Sequence, residues 1–193
     1  MVGTLNIKVI LGSTRQNRFS EIVGKWLMGQ LKVRSDIEVE LLDLREYPMP
    51  FFNEPETPSS KKAPYTEPSV VKWTAKIADA DGFILVTPEY NHGYPAVLKN
   101  AIDYVSPEWN KKPIGFISYG SAMGVRSVEQ LRQVVIELQM VPMRSAIHIA
   151  GDTMKAAREN ADAAFKTLEQ RVTGLVDQLV WWGSALKNAR TAT

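Results

Sequence analysis

A segment near the N-terminus has the composition of a phosphate-binding loop. It reads G-S-T-R-Q-N-R-F-S from Gly12 to Ser20, and its candidate ligands are Ser13, Thr14, Arg15, Arg18 and Ser20. The free amides of a helix N-terminus and bidentate arginines suit a terminal phosphate. The spacing matches neither a Walker loop nor G-x-G-x-x-G. We therefore predict a phosphate site, the alternative being an ordinary capped loop with solvated arginines.

A second segment, T-P-E-Y-N-H-G-Y-P-A-V-L-K from Thr87 to Lys99, combines turn residues with aromatic and amide side chains. Pro88 and Gly93 shape the turn, while Tyr90, Asn91 and Tyr94 offer ring faces and an amide. Backbone amides in such a rigid loop can bind the polar edge of a planar ring.

Two titratable residues of this second segment have competing interpretations. Glu89 is either a general base or a side chain that holds the turn together, and we favour the structural role. His92 lies beside a glycine in a loop, so we expect it to be solvated rather than to transfer protons. The other histidine, His148, is expected to be a satisfied core or edge residue of the last strand.

A third segment, S-Y-G-S-A-M-G-V-R, runs from Ser118 to Arg126. Its glycines, Gly120 and Gly124, allow the backbone to approach a ligand closely. The alternative, equally well supported by this segment alone, is a tight strand-to-helix turn.

These segments lie between elements that alternate in type. The predicted strands are Leu5–Leu11, Ile37–Leu44, Gly82–Thr87, Pro113–Tyr119 and Met143–Ile149. The predicted helices are Phe19–Leu31, Val70–Ala80, Pro95–Val105, Gly124–Met140 and Asn160–Lys187. Continuously apolar strands alternating with helices indicate a parallel sheet that is covered on both faces. We expect one flavodoxin-like domain over residues 1–193, with strand order 2-1-3-4-5 and a long proline-rich loop over Arg45–Ser69. Ligands bind such sheets at the carboxyl ends of the strands, which the three segments follow.

Composition narrows the possible functions. Lys plus Arg number 23 and Asp plus Glu 21, so the net charge is 23 − 21 = +2, which gives no case for a nucleic-acid or anionic-membrane partner. The absence of cysteine excludes disulfides, thiol nucleophiles and iron–sulfur clusters. With two histidines, no metal site is expected. No apolar run resembles a signal peptide or membrane helix, so we expect a soluble, cytoplasmic protein.

Several chemistries known on parallel sheets do not fit the residues. G-S-A-M-G is not a G-x-S-x-G nucleophile elbow, and the acidic residues of a receiver domain are absent after the first and third strands. What remains is a phosphate site beside a loop that can bind a flat ring. This combination points to flavin mononucleotide (FMN).

Longer motifs resemble one known family. They are G-S-T-R-x-x-R-x-S with Trp26, D-x-x-x-Y-P-M-P-F-F-N-E-P from Asp43, P-E-Y-N-H-G-Y-P-A-x-L-K-N-A-I-D-Y from Pro88, E-W-x-K-K-P from Glu108 and E-Q-L-R from Glu129. Together they resemble the NAD(P)H-dependent FMN reductases, flavodoxin-like enzymes that reduce quinones, azo dyes and chromate. The resemblance runs from about residue 5 to about residue 149, and the motif from Pro88 is its specific part.

The resemblance implies particular site residues. By this resemblance, the phosphate is bound by Ser13, Arg15, Arg18 and Ser20. The isoalloxazine ring is contacted by Pro88, Glu89, Tyr90, Asn91, Tyr119, Gly120 and Ser121. The family usually has a glycine-richer stretch after the fourth strand, where this chain has Met123, and we expect this side chain to narrow the space near the flavin.

The implied activity is a two-electron transfer from NAD(P)H through FMN to a quinone, azo compound, flavin or similar acceptor. One shared face for donor and acceptor implies ping-pong kinetics, and no catalytic residue beyond the flavin is required. The alternative is a flavodoxin-type electron carrier, but carriers of that kind are typically strongly acidic and this chain is not.

A homo-oligomer, either a dimer or a tetramer, is also expected. Phe51 and Phe52 are apolar side chains in an irregular segment and need cover. Val97, Leu98, Ile102, Tyr104 and Trp109 provide more apolar surface than one face of a helix requires against a sheet. The pair Trp181–Trp182 is expected in the core or at a subunit interface.

Overall fold

A computed structural model describes residues 3–61 and 63–192. The strands are β1 (Leu5–Leu11), β2 (Ile37–Asp43), β3 (Gly82–Pro88), β4 (Pro113–Tyr119) and β5 (Val141–Ile149). The helices are α1 (Ser20–Leu31), α2 (Pro68–Asp79), α3 (Ala96–Asp103), α4 (Val125–Glu137), α5 (Gly151–Glu159), α6 (Ala161–Phe165) and α7 (Glu169–Thr191). Short 3₁₀ turns cover Leu44–Glu46, Pro107–Trp109 and Lys166–Leu168.

The described strands form one parallel sheet with the order β2-β1-β3-β4-β5. This confirms the predicted fold class and strand order. Every residue of β3 and β4 is buried, as expected for central strands with helices on both faces. The crossover from β2 to β3 passes β1, so the chain changes direction between β1 and β3 and leaves a crevice at their carboxyl ends.

Helices cover the two faces of the sheet separately. On one face, α1, α5, α6 and α7 surround a core that includes Trp26, Phe165 and Leu175. On the other face, α2, α3 and α4 surround a core that includes Trp73 and Leu131. The indole N–H of Trp73 donates to the carbonyl of Ala101 (2.8 Å), so α2 and α3 are joined by a buried hydrogen bond as well as by packing.

The C-terminal region differs from its prediction. Instead of one helix over Asn160–Lys187, the chain forms α6, a 3₁₀ turn and α7, and α5 precedes them in a segment where no helix is predicted. Asn160 ends α5 in an extended conformation, and its side chain caps α6 by accepting from the amide of Ala163 (3.0 Å). α5 was missed because Ala157 is its only buried residue, which leaves no helical pattern of apolar positions.

The prediction that α3 presents an uncovered apolar surface is also wrong. Leu98, Ile102, Tyr104 and Trp109 are buried within their own protomer, at 5% exposure or less. The proline-rich loop covers Tyr104, against which the rings of Phe52 and Tyr65 pack with centroids 5.2 and 5.6 Å away. Trp109 packs instead against Trp73 and Phe83. Trp181 and Trp182 are not core residues either, because they are 65% and 37% exposed.

One asparagine fixes the proline-rich loop to α3. The Asn100 amide donates to the carbonyl of Pro50 and accepts from the amide of Phe52, both at 2.8 Å. The residue between them, Phe51, is 81% exposed. Between residues 47 and 67, the described positions form neither helix nor strand, as the proline content predicts.

Within residues 3–61 and 63–192, no helix is both long enough and apolar enough to cross a bilayer.

Candidate functional site

The loops that follow β1, β3 and β4 meet at the carboxyl edge of the sheet. The hydroxyls of Ser13 and Tyr90 share a hydrogen bond of 2.9 Å, which joins the first loop to the second. The amide of Glu89 donates to the carbonyl of Tyr119 (3.2 Å), which joins the second loop to the third. All three segments selected from the sequence therefore contribute to one site.

The first loop, residues 12–19, leaves β1 through a glycine that cannot be replaced without movement. A Cβ on Gly12 would lie 2.9 Å from a methyl group of Leu98 and 3.1 Å from the carbonyl oxygen of Val86. The Gly12 amide donates to that same carbonyl at 2.8 Å. The loop is thus fixed against β3 at its start, and α1 follows it with no side-chain cap on its N-terminus.

The candidate phosphate ligands of this loop differ in how they are used. Arg15 is exposed, and its guanidinium forms no hydrogen bond or ion pair with any described residue. The Ser20 hydroxyl is buried and faces the Tyr119 hydroxyl, but it forms no hydrogen bond of good geometry with any described atom. Ser13 is buried and accepts weakly from the Arg15 amide (3.4 Å). An unpaired cation, an unsatisfied hydroxyl and an uncapped helix N-terminus suit an anion.

Arg18 has a different arrangement from the one expected. It is 2% exposed and donates from its three guanidinium nitrogens to Asp43 (2.7 Å), to Glu21 (3.1 Å) and to the carbonyl of Ser13. Burial acts to raise the pKa of Asp43, but the hydrogen bonds from Arg18 and from the Arg45 amide outweigh it and lower the pKa. Arg18 therefore ties the loop to the end of β2, with its charge already compensated.

The second loop contains a two-residue hairpin turn. Tyr90 and Gly93 exchange backbone hydrogen bonds of 2.8 and 3.0 Å. The two residues between them, Asn91 and His92, have φ values of 49° and 71°. Two successive positive φ values define a type I′ turn, for which asparagine is well suited. The turn fixes the exposed side chains of Asn91 and His92 at the sheet edge.

Glu89 pairs with Arg126, the second residue of α4. Arg126 donates to the Glu89 carboxylate from its Nε (2.5 Å) and from its backbone amide (3.2 Å). Burial acts to raise the pKa of Glu89, but these contacts outweigh it and hold the pKa below its ordinary value. Its side chain is 4% exposed, so the carboxylate is ionised and enclosed at neutral pH. This geometry supports the structural role over the general base.

Arg126 also contacts His92. Its Nη1 lies 2.7 Å from His92 Nε2, and a guanidinium can only donate, so Nε2 accepts. The importance of Arg126 was not apparent from the sequence. It is 37 residues from Glu89, and only the meeting of β3 and α4 brings the two charges together.

The third loop, residues 120–124, turns through left-handed backbone. Met123 and Gly124 have φ values of 57° and 74°. A Cβ on Gly124 would lie 2.7 Å from the Ser118 Cβ and 2.8 Å from the amide nitrogen of Tyr119, so glycine is required there. The Met123 side chain is 41% exposed on this loop. That it narrows the flavin site stays a prediction.

The side chain of Tyr119 lies below this edge, in the core. Its ring packs edge-on against Phe19 with centroids 5.2 Å apart, and its buried hydroxyl faces Ser20 without a hydrogen bond of good geometry. Burial raises the pKa of Tyr119 to about 12, so the phenol is neutral at physiological pH.

Comparisons with known proteins agree with this architecture. A sequence profile described as NADPH-dependent FMN reductase matches residues 5–153. NAD(P)H-dependent FMN reductase C4B3.06c of Schizosaccharomyces pombe is 37% identical over 151 residues, covering 77% of this chain and 76% of that protein. An FMN-dependent NADPH-azoreductase of Staphylococcus aureus is 30% identical over 183 residues, covering 89% and 92%. Among solved structures, the flavoenzyme NAD(P)H:(acceptor) oxidoreductase FerB of Paracoccus denitrificans has a TM-score of 0.68 at 24% identity, covering 93% and 97%, which supports the fold.

The sheet order and the loops at its carboxyl edge define a flavodoxin-like α/β protein. Because the matching profile spans residues 5–153 of the 193, the chain belongs to the NADPH-dependent FMN reductase family. It is an oxidoreductase, with FMN as cofactor and NAD(P)H as electron donor. The family, the enzyme class and both cofactors expected from the sequence are confirmed.

Proposed function

We propose that the phosphate of FMN binds to loop 12–20 through Ser13, Arg15, Ser20 and the N-terminus of α1. The observation that carries this proposal is that one loop and the helix start that follows it hold both the unpaired guanidinium of Arg15 and the buried hydroxyl of Ser20, which forms no hydrogen bond of good geometry. A buried hydroxyl without a hydrogen bond reduces the stability of the protein alone, and both the hydroxyl and the guanidinium would gain a partner from a phosphate oxygen. Arg18 is assigned a positioning role, because its donors already bind Asp43, Glu21 and the Ser13 carbonyl.

The isoalloxazine ring is proposed to lie between the second and third loops. Pro88, Glu89, Tyr90 and Asn91 would border one side, and Tyr119, Gly120 and Ser121 the other. We assign Glu89 a role through its backbone, because its carboxylate is committed to Arg126. Backbone amides in a turn as constrained as Tyr90–Gly93 are preorganised donors, which lose little entropy when a ring edge binds.

Bound FMN supplies a ring that accepts two electrons and returns them. The chain's own residues bind the phosphate, orient the ring and leave one of its faces open for a partner. Since NAD(P)H and the acceptor would use that face in turn, we propose ping-pong kinetics. Quinones, azo compounds and free flavins are the proposed acceptors, because flat molecules stack well on such a face and relatives are named for azo reduction.

Cofactor binding is tested by titrating apo-protein with FMN, riboflavin and FAD. Binding of FMN at least tenfold tighter than riboflavin would support a specific phosphate site. Equal affinities would contradict it, and recovery of stoichiometric FAD from the purified protein would overturn the assignment of FMN. Initial rates at several fixed acceptor concentrations then test the kinetic order, for which parallel double-reciprocal lines are expected.

A flavodoxin-type electron carrier is the competing proposal. Membership of a reductase family and a net charge of +2 both count against it. Anaerobic addition of NADPH to the purified protein separates the two, because a reductase bleaches the yellow flavin without a second protein and a carrier does not.

We further propose that two copies of the chain associate through the Phe51 region and act on small-molecule acceptors inside the cell, where NAD(P)H is supplied. Phe51 is an exposed aromatic residue on a loop that Asn100 holds in place on both sides. A rigid apolar residue of this kind loses little entropy on being covered. The partner would then border the face on which the acceptor stacks.

A further inference from the structure

His148 and Ser118 form a partly buried hydrogen bond next to the third loop of the site. They are register partners on the adjacent strands β5 and β4, so their side chains lie on the same face of the sheet. His148 Nδ1 is 2.7 Å from the Ser118 hydroxyl oxygen. Ser118 is fully buried and His148 half-buried.

Ser118 also forms a hydrogen bond with the third loop, and this second bond determines which atom donates in each of the two. Its hydroxyl lies 2.8 Å from the carbonyl oxygen of Met123, which can only accept. The single hydroxyl proton is therefore donated to Met123. The Ser118 oxygen must then accept from His148, so the imidazole carries its proton on Nδ1.

The two hydrogen bonds, from His148 to Ser118 and from Ser118 to the Met123 carbonyl, end at the most constrained backbone of the third loop. Met123 has a φ of 57°, which is unfavourable for a residue with a side chain, and Gly124 follows with a φ of 74°. Such backbone persists only where surrounding contacts over-determine it. The Ser118 hydrogen bond holds the Met123 carbonyl, and the turn it closes also contains a backbone hydrogen bond from Met123 to Gly120 (2.9 Å).

We propose that His148 is a positioning residue for the flavin: through Ser118, it holds the third loop, residues 120–124, in the shape that receives the isoalloxazine ring. This inference rests on the proposed placement of the ring beside Gly120. His148 needs no contact with the flavin, because its effect is transmitted by two hydrogen bonds. The charged groups that face it, Arg132 of α4 and Arg171 of α7, donate to the carbonyls of Arg144 and Ala146 on β5 (2.9 and 3.2 Å).

Two polar substitutions distinguish this role from general packing. In His148→Asn, the side-chain amide nitrogen can occupy the place of Nδ1 and still donate to Ser118. In His148→Gln, the amide reaches the place of Nε2 instead and cannot. We expect His148→Asn to bind FMN within twofold of the wild type, and both His148→Gln and Ser118→Ala to bind it about fivefold more weakly, the value of one neutral hydrogen bond.

The measurement is quenching of FMN fluorescence on titration with apo-protein, with Ser145→Ala, an exposed residue of the same strand, as matched control. Riboflavin is titrated in parallel. Its affinity for the variants should fall by the same factor as that of FMN, since the third loop is proposed to contact the ring and not the phosphate. Equal affinities for His148→Asn and His148→Gln would overturn the proposal, as would unchanged binding by Ser118→Ala. Failure of the wild type to bind FMN would instead refute the proposed function.

Discussion

Arg15 is the residue that tests the phosphate site most directly. We expect Arg15→Ala to raise the dissociation constant of FMN about ten- to a hundredfold, because a charge-assisted contact contributes roughly 1.5–3 kcal/mol. Its side chain is exposed and unpaired, so the free energy of unfolding should change by less than about 0.5 kcal/mol. Titration of apo-protein and urea unfolding measure the two effects.

A control for this charge change is Lys25→Ala, which removes an exposed cation from the outer side of α1. Riboflavin affinity should be the same in Arg15→Ala and in the wild type, since riboflavin has no phosphate. Weakening of FMN and riboflavin by the same factor would contradict a phosphate contact at Arg15.

His148 also gives the protein a defined pH dependence of stability. Burial, followed by the charges of Arg171 and Arg132, holds its pKa below the ordinary value of 6.5. Below that pH the unfolded chain binds the proton more readily than the folded chain, so this contribution to stability is complete above 6.5 and declines as the pH falls towards the folded pKa. Urea unfolding should show that, from about pH 7.5 to about pH 5.5, the free energy of unfolding falls more for the wild type than for His148→Asn. Equal losses would show that His148 is as easily protonated when folded.

At the scale of elements, two glycines make a matched pair. Gly124→Ala is expected to destabilise the protein by more than about 1 kcal/mol, because the new Cβ would meet Ser118 and Tyr119 at 2.7 and 2.8 Å and the φ is 74°. Gly174→Ala, in α7, meets nothing within 4 Å and should stabilise it by about 0.5–1 kcal/mol. Thermal or urea unfolding of both variants measures the difference, and a neutral Gly124→Ala would show that the third loop can relax.

The elements show how far the sequence was sufficient. β1 and β4 were predicted at their observed bounds, because an apolar run of strand length between turn residues has one interpretation in a parallel sheet. α5 could not be predicted, since its single buried residue, Ala157, leaves no pattern. The apolar residues of α3 and Tyr104 were recognised, but sequence alone did not show that Phe52 and Tyr65 would cover Tyr104.

The site shows a similar division. The strand order was enough to predict that the three loops meet, because loops that follow the strands of a parallel sheet lie at the same edge. The partners of the charges were not predictable, since Arg18–Asp43 and Glu89–Arg126 are contacts between elements distant in the chain. Arg15 and Arg18 are the same residue type and lie three positions apart, yet only the fold shows that Arg18 is buried with a carboxylate and that Arg15 is exposed and unpaired.

For the whole molecule, the prediction concerns assembly. Light scattering at micromolar concentration should give a mass of about twice 21.6 kDa or a higher even multiple. Phe51→Ser should shift it towards the monomer without loss of stability, because the ring is 81% exposed in one protomer. A matched control is Val33→Ser, which removes an apolar side chain that is 85% exposed elsewhere on the surface. A monomeric wild type with full NADPH oxidation would refute both the assembly and the shared acceptor face.

The central position of β3 has a consequence for how the protein opens. β3 pairs with β1 and β4 along its length and is covered on both faces, whereas β5 has a free edge. Amide hydrogens of β3 should therefore exchange with solvent deuterium only through global unfolding, and those along the outer edge of β5 through small local fluctuations. The second loop, which begins where β3 ends, is thus anchored to the part of the sheet that we expect to open last, while loop 120–124 contacts Ser118, which is hydrogen-bonded to the edge strand β5.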